Sequence, residues 1–289
     1  MSERWPISDR SAAAPFGRRL LTVTGMDELG AYRVLRVADP EMSESPPAGR
    51  APVPGQFAML AAAERWGGGE DERPYLARAF SIARFSDGEA HYLLEDVGPG
   101  TMRLCELGPG DRLWVLGPLG QGFTVPQDSR RALLIGGGVG IAPLAIWQDE
   151  LAEKDIPAQA LLGFRDGPRA EGAALLCAAQ VATDDGSAGR HGLVTDLLIE
   201  QLEGDEHATV YACGPAPMLE TVRAICATRA IPAQLALEAG MACGFGACYG
   251  CVVPRRGGGY LRVCVDGPVI DAAELDLVEA HAGGAGGTR

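Results

Sequence analysis

The chain has 289 residues, 47% of them hydrophobic, with 40 glycines and a formal net charge of −13. That length supports two compact domains and a small appendage, and the apolar fraction excludes wholesale disorder. The acidity excludes nucleic acid as a natural partner, because phosphate backbones would be repelled.

Residues 1–17 read as a loose lead-in without the apolar stretch of a signal peptide, and no run of about 18 apolar residues predicts a membrane span. A cytoplasmic location follows, where eight cysteines are better ligands or buried thiols than disulfides. Short β-type runs at 18–24, 31–38, 56–60, 79–84, 91–97 and 112–116, broken by Gly and Pro, predict an antiparallel β-barrel. Two segments rich in Pro, Gly and charge, 41–54 and 64–74, read as surface loops. From 129 the pattern alternates. Strands are predicted at 131–135, 159–164 and 209–213, with helices at 141–154, 172–179, 192–202 and 218–230. Alternation of this kind implies a parallel sheet. From 233 the chain becomes rich in Cys and Gly, and 282–289 reads as a frayed tail. The predicted class is therefore α+β multidomain. It has an antiparallel β-barrel domain (18–128), an α/β parallel-sheet nucleotide-binding domain (129–232), and a small C-terminal cysteine module with tail (233–289).

The cysteine module carries the sharpest signal. Cys243, Cys248 and Cys251 follow a C-x4-C-x2-C spacing, and Cys264 stands 13 positions later. This is close to the spacing that holds a [2Fe-2S] cluster in plant-type ferredoxins. Gly244, Gly246 and Gly250 between the thiols let the backbone wrap closely and aim N–H groups at sulfur. Structural zinc, or a zinc-stabilised interaction module, is the alternative. Zinc sites usually use two C-x2-C knuckles, whereas here the first gap is four residues and Cys264 is solitary.

In the α/β half, an apolar strand runs into Gly136, Gly137, Gly138, Val139, Gly140, Ile141, Ala142 and Pro143. A Gly-rich turn that opens a helix presents backbone N–H groups and the helix dipole to a pyrophosphate. Alone, it is equally an ordinary tight βα turn. Cys213, Gly214 and Pro215 follow a second strand, where the chain can turn beside a flat ring; Cys213 is otherwise a small buried residue. In the barrel half, Arg78, Ala79, Phe80 and Ser81 offer a cation for a pyrophosphate and a hydroxyl for a ring. Gly98, Pro99, Gly100 and Thr101 form a second phosphate-type turn opening a short helix. The four His, at 91, 191, 207 and 281, fall in no catalytic pattern.

The order of these motifs resembles the ferredoxin–NADP reductase superfamily. The string from Glu238 through Cys251, followed by Val263 to Val269, resembles the electron-transfer subunits of class 1B dihydroorotate dehydrogenases over residues 18–272. The resemblance implies an FAD barrel, an NAD domain and a [2Fe-2S] module. Carried over by motif, Arg78, Ala79, Phe80, Ser81, Leu93, Leu94, Glu95, Gly100 and Thr101 contact FAD, and Cys243, Cys248, Cys251 and Cys264 hold the cluster. Ala79 departs from the Pro usual in the flavin motif, and both loops exceed the family's need. The resemblance also implies a separate FMN-containing catalytic subunit in a heterotetramer of two of each chain. Electrons then run from FMN through the cluster and FAD to NAD+, in pyrimidine (UMP) biosynthesis. Electron-transfer subunits of sulfhydrogenases or ferredoxin–NAD(P) oxidoreductases share every cofactor motif and remain the alternative. In the superfamily the segment around Asp184 and Asp185 lies near the adenosine ribose. Acidic side chains there favour NAD over NADP, while Arg165 is the contrary signal.

Overall fold

The computed structural model describes residues 17–40, 42, 51–67, 74–127, 130–204 and 206–276. His281, the tail at 282–289 and nearly all of the lead-in lie outside them, as do parts of both predicted loops.

Strand β1 (Arg19–Leu29) alternates buried and exposed positions over its first half, as a strand with one wet face must. It turns through Gly30 into β2 (Tyr32–Ala38). With β3 (Phe57–Ala62), β4 (Arg78–Ser86), β5 (Glu89–Glu95) and β6 (Arg112–Leu119) these strands close an antiparallel barrel in the order β1-β2-β5-β4-β3-β6. Closure leaves the barrel no free edge. A short helix, α1 (Pro99–Cys105), follows β5, and the barrel interior is filled by Val23, Leu35, Leu60, Ile82, Tyr92 and Leu113 among others.

The second unit is a seven-stranded sheet in the order β10-β9-β8-β7-β11-β12-β15. Strands β7 (Arg131–Gly137), β8 (Ala158–Phe164), β9 (Gln180–Thr183), β10 (Arg190–His191), β11 (Ala208–Cys213) and β12 (Ala233–Ala236) are parallel. β7 and β11 are buried almost throughout, because helices cover both faces. These are α2 (Ala142–Glu153), α4 (Val194–Gly204) and α5 (Ala216–Thr228). Phe123, Trp147 and Tyr211 form an aromatic knot on one face, with ring centroids 5.2–5.7 Å apart. The hairpin β13 (Val252–Pro254) and β14 (Tyr260–Arg262) follows. Then β15 (Val269–Asp271) returns to pair antiparallel with β12.

The helix predicted at 172–179 does not form. A four-residue helix, α3 (Gly167–Ala170), leads into a 3-10 turn over Glu171–Leu175, and Leu176 is extended. The side chain of Gln148 on α2 is the reason. Its Nε2 donates to the Cys177 carbonyl (3.0 Å) and its Oε1 accepts from the Cys177 N–H (2.7 Å), so both groups are withdrawn from any helix. Barrel and sheet meet through one buried apolar cluster, in which Tyr32, Ala83 and Leu93 pack with Ile141, Leu144 and Trp147, edged by polar pairs. Arg169 Nε donates to Glu95 (2.8 Å), Arg84 pairs with Asp149 (3.2 Å), and the Ala31 N–H donates to the Pro168 carbonyl (3.0 Å). Among the described residues no helix is long and apolar enough to cross a membrane.

Candidate functional site

A cleft of about 430 Å3 opens where the barrel, the sheet and the cysteine module converge. The barrel contributes Arg78, Ala79, Phe80 and Ser81 from the start of β4, Leu93 from β5 and Thr101 from α1. The sheet contributes Val139, Gly140 and Ala142 from the glycine turn, and Cys213 from the end of β11. Residues 237–241, which lead into the module, complete the wall. Six segments remote in sequence thus face one space, at the carboxyl ends of β7 and β11, where open α/β sheets bind ligands.

The glycine turn is tightly held. A Cβ on Gly140 would stand 2.5 Å from the Cys213 carbonyl oxygen, so only glycine lets this turn lie against the end of β11. Gly138 has φ +55°, Pro143 lies in the first turn of α2, and Pro215 caps α5 with Gly214 before it. Gly136 and Gly137 are buried in β7 behind the turn.

Cys213 is buried, and burial, with the Glu238 carboxylate as a lesser cause, pushes its thiol well above the usual range. Burial raises the Glu238 carboxyl as well. Leu94 belongs to the barrel core, and the Glu95 carboxylate is engaged by Arg169. The Thr101 hydroxyl staples its own turn, donating to the Gly98 carbonyl (3.0 Å) and accepting from the Val97 N–H (2.9 Å). Beyond β9, Asp185 accepts from the Ser187 N–H (2.9 Å) and hydroxyl (2.5 Å), and these bonds lower its carboxyl pKa. Asp184 is exposed beside it.

The four thiols stand as two pairs, Cys243 with Cys248 and Cys251 with Cys264, and among the described residues no three side chains of metal-ligating type come close enough to share one metal ion. Cys251 and Cys264 flank the β13–β14 hairpin and bring their sulfurs to 3.2 Å. The Cys264 N–H points at Cys251 Sγ (3.4 Å), and the Gly250 N–H at Cys248 Sγ (3.4 Å). Burial pushes the Cys243 thiol up, but N–H groups of Phe245, Cys248 and Ala247 and the Cys248 thiol outweigh it and bring it down to about 6. Burial and the neighbouring Cys251 push Cys264 up to about 12. The other four cysteines lie elsewhere: Cys105 and Cys177 on α1 and beyond Leu175, Cys213 in the cleft, and Cys226 in α5. The thiol loop rests on the barrel. A Cβ on Gly244 would meet Met59 Cγ at 2.6 Å, and Met59 pairs across the sheet with Ala79 of the cleft.

Residues 238–276 match the model of the iron–sulfur cluster binding domain of dihydroorotate dehydrogenase B, and 168–224 match the oxidoreductase NAD-binding domain. A dihydroorotate dehydrogenase B (NAD(+)) electron transfer subunit from Geobacillus thermodenitrificans is 39% identical over 240 residues, spanning 78% of this chain and 87% of that protein. The chain belongs to this family of electron transfer subunits. A family member from Caldanaerobacter subterraneus subsp. tengcongensis is 40% identical over 234 residues, covering 78% of this chain and 88% of its own. The structure of an NADH-dependent reduced ferredoxin–NADP oxidoreductase superposes with a TM-score of 0.74 at 25% identity, covering 90% of this chain and 91% of that one.

Glu238 is the residue of this family member that motif reading passed over. It opens the cysteine string, yet no role attached to it, because its approach to Cys213 depends on β12 ending beside β11. Leu237 and Met241 enter the cleft wall in the same way.

Proposed function

We propose that this chain is the electron-transfer partner of an FMN-containing dihydroorotate dehydrogenase subunit. In this reading it relays electrons through a [2Fe-2S] cluster and FAD to NAD+, in pyrimidine biosynthesis. The observation that carries the reading is the shared cleft. The Arg78–Ser81 segment, the glycine turn and the end of β11 face one another across it, and the thiol loop lies one strand away behind Met59.

The residues fit the groups. The thiols form two pairs, Cys243 with Cys248 and Cys251 with Cys264. A binuclear cluster with four thiolates takes two on each iron, and the inward N–H groups stabilise charge on sulfur. In the cleft, Arg78 supplies the cation for the FAD pyrophosphate, aided by the turn at Gly100 and Thr101. Phe80, Ser81 and Leu93 line the space for the ring. The glycine turn, with Ala142 and Pro143 behind it, presents N–H groups to the NAD pyrophosphate, and Cys213, Gly214 and Pro215 flank the nicotinamide. FAD, when bound, exchanges hydride with nicotinamide and single electrons with the cluster, which is why a flavin stands between them. Glu238 lines the cleft beside Cys213. Asp184 is the better candidate for the adenosine ribose, since Asp185 is occupied by Ser187. The division is 18–128 for FAD, 129–232 for NAD and 233–289 for the cluster, with β12 and β15 of the last segment completing the nucleotide-binding sheet, so the cluster module proper starts after β12, and the complex holds two copies of each subunit.

The test is a division of labour. The isolated chain, purified anaerobically, reduces artificial dyes with NADH but does not oxidise dihydroorotate. Adding the FMN subunit restores dihydroorotate-dependent NAD+ reduction. Robust dihydroorotate turnover by this chain alone overturns the proposal.

A further inference from the structure

If FAD occupies the cleft as proposed above, its far end has a place to go. Arg78 opens β4, and Phe80 and Ser81 follow it along the same strand. The pyrophosphate of FAD joins the ring-bearing half to the adenosine half. A ring along Phe80–Ser81 with its pyrophosphate on Arg78 therefore sends the adenosine past Arg78, toward the connection between β3 and β4.

Trp66 stands on that connection. The Arg78 guanidinium lies over its ring, 5.9 Å from the centroid. The indole is half-buried, and its Nε1 is a buried donor that meets no acceptor among the described residues. A buried N–H without an acceptor is uncommon, and a bound group that accepts from it removes the penalty. A hollow of about 240 Å3 opens beside the ring, between the barrel residues Tyr75, Leu76, Ala77 and Trp114 and the thiol-loop residues Cys243 and Phe245, and it shares Leu76 and Ala77 with the cleft.

The stretch that carries Trp66 is tied down. Arg65 turns the chain with a left-handed φ of 54° and pairs with Glu106, just beyond α1. Arg103 of α1 donates to the Glu64 carbonyl (3.3 Å), and the Gly67 N–H donates to the Pro74 carbonyl (2.8 Å). Trp66 is thus held in register with α1, whose Gly100 touches Arg78: a Cβ there would stand 2.5 Å from Arg78 Nε.

We propose that Trp66 is the platform on which the adenine of FAD stacks, with the indole N–H donating to the adenosine half. The platform makes this chain select FAD over FMN, which shares the ring and one phosphate but has no adenosine. Stacking of a base on an aromatic side chain is sequence-tolerant and strong enough to register in a dissociation constant.

The test uses the full, cluster-loaded chain with its flavin exchanged by dialysis, and reads the Kd for FAD and for FMN by flavin fluorescence. Trp66→Ala weakens FAD by roughly 5- to 100-fold and leaves FMN unchanged. Trp66→Phe, which keeps a flat ring, retains most of the FAD affinity. An unchanged FAD Kd in Trp66→Ala overturns the proposal, and so does an equal loss for FAD and FMN, which marks a role in the fold alone. A wild-type chain that binds neither flavin overturns the flavin reading of the cleft itself.

Discussion

Gly140→Ala probes the seam on which, in the proposed reading, nicotinamide binding depends. A Cβ at this position would stand 2.5 Å from the Cys213 carbonyl oxygen and 2.6 Å from both the Cys213 carbonyl carbon and the Gly214 nitrogen. All three are backbone atoms, so no side chain can rotate away. To reach ordinary contact at 3.4 Å the glycine turn and the end of β11 must separate by about 0.9 Å. Overpacking of this kind costs about 1–3 kcal/mol. A displacement near 1 Å at a site that orients two reactants costs on the order of 100-fold in rate. The thiol loop and Arg78 lie on other segments, so iron content and FAD occupancy stay at wild-type levels. The assay is NADH-dependent dye reduction, set against chemical reduction of the flavin by dithionite as a control. The first falls by about 10- to 100-fold and the second is unchanged. Wild-type NADH kinetics in a folded Gly140→Ala protein refute the reasoning.

Three further outcomes follow from the same geometry. Cys248→Ser removes one thiolate from the set of four and leaves the chain without its cluster, read as loss of iron and acid-labile sulfide; full iron content would contradict the ligand assignment. NADH is preferred over NADPH in dye reduction, and Asp184→Ser with Asp185→Arg narrows the gap in kcat/KM, whereas an unaltered ratio moves the discrimination elsewhere. Trp147→Ala empties the centre of the aromatic knot, where the ring is 1% exposed. It destabilises the chain by about 3–5 kcal/mol, read as a lower urea midpoint; an unchanged midpoint would mean the knot repacks without loss.

Local patterning made the barrel and the parallel sheet legible, because strand alternation in β1 and the buried run of β7 are written in consecutive residues. The cysteine spacing was equally legible, since three of the four thiols share one loop. What escaped were features made by distant segments. The segment at 172–179 looks helical by composition, but the Gln148 side chain, 29 positions before Cys177, captures its backbone. Glu238 gains meaning only when β12 is laid beside β11. Trp66 reads as part of a surface loop until β3 and β4 are paired and Arg78 comes to lie over its ring. The Ala at position 79, which departs from the usual flavin motif, leaves Arg78 and Ser81 on the cleft wall.

The antiparallel strand β15 has a consequence for how such proteins can be cut and recombined. It comes from the cysteine module, yet it forms the outer rail of the nucleotide-binding sheet, pairing through Gln234, Leu235 and Ala236. Removing the module would strip β12 of its neighbour and present a bare strand edge of the kind that recruits other chains into aggregates. Leu261, Val263, Ile270 and Leu275 would also leave the apolar cluster they share with Val210, Val222 and Leu235. The module is therefore not a detachable cassette. A chimera that exchanges it for another redox domain must supply a replacement edge strand, or place its junction so that residues 269–271 stay with the sheet.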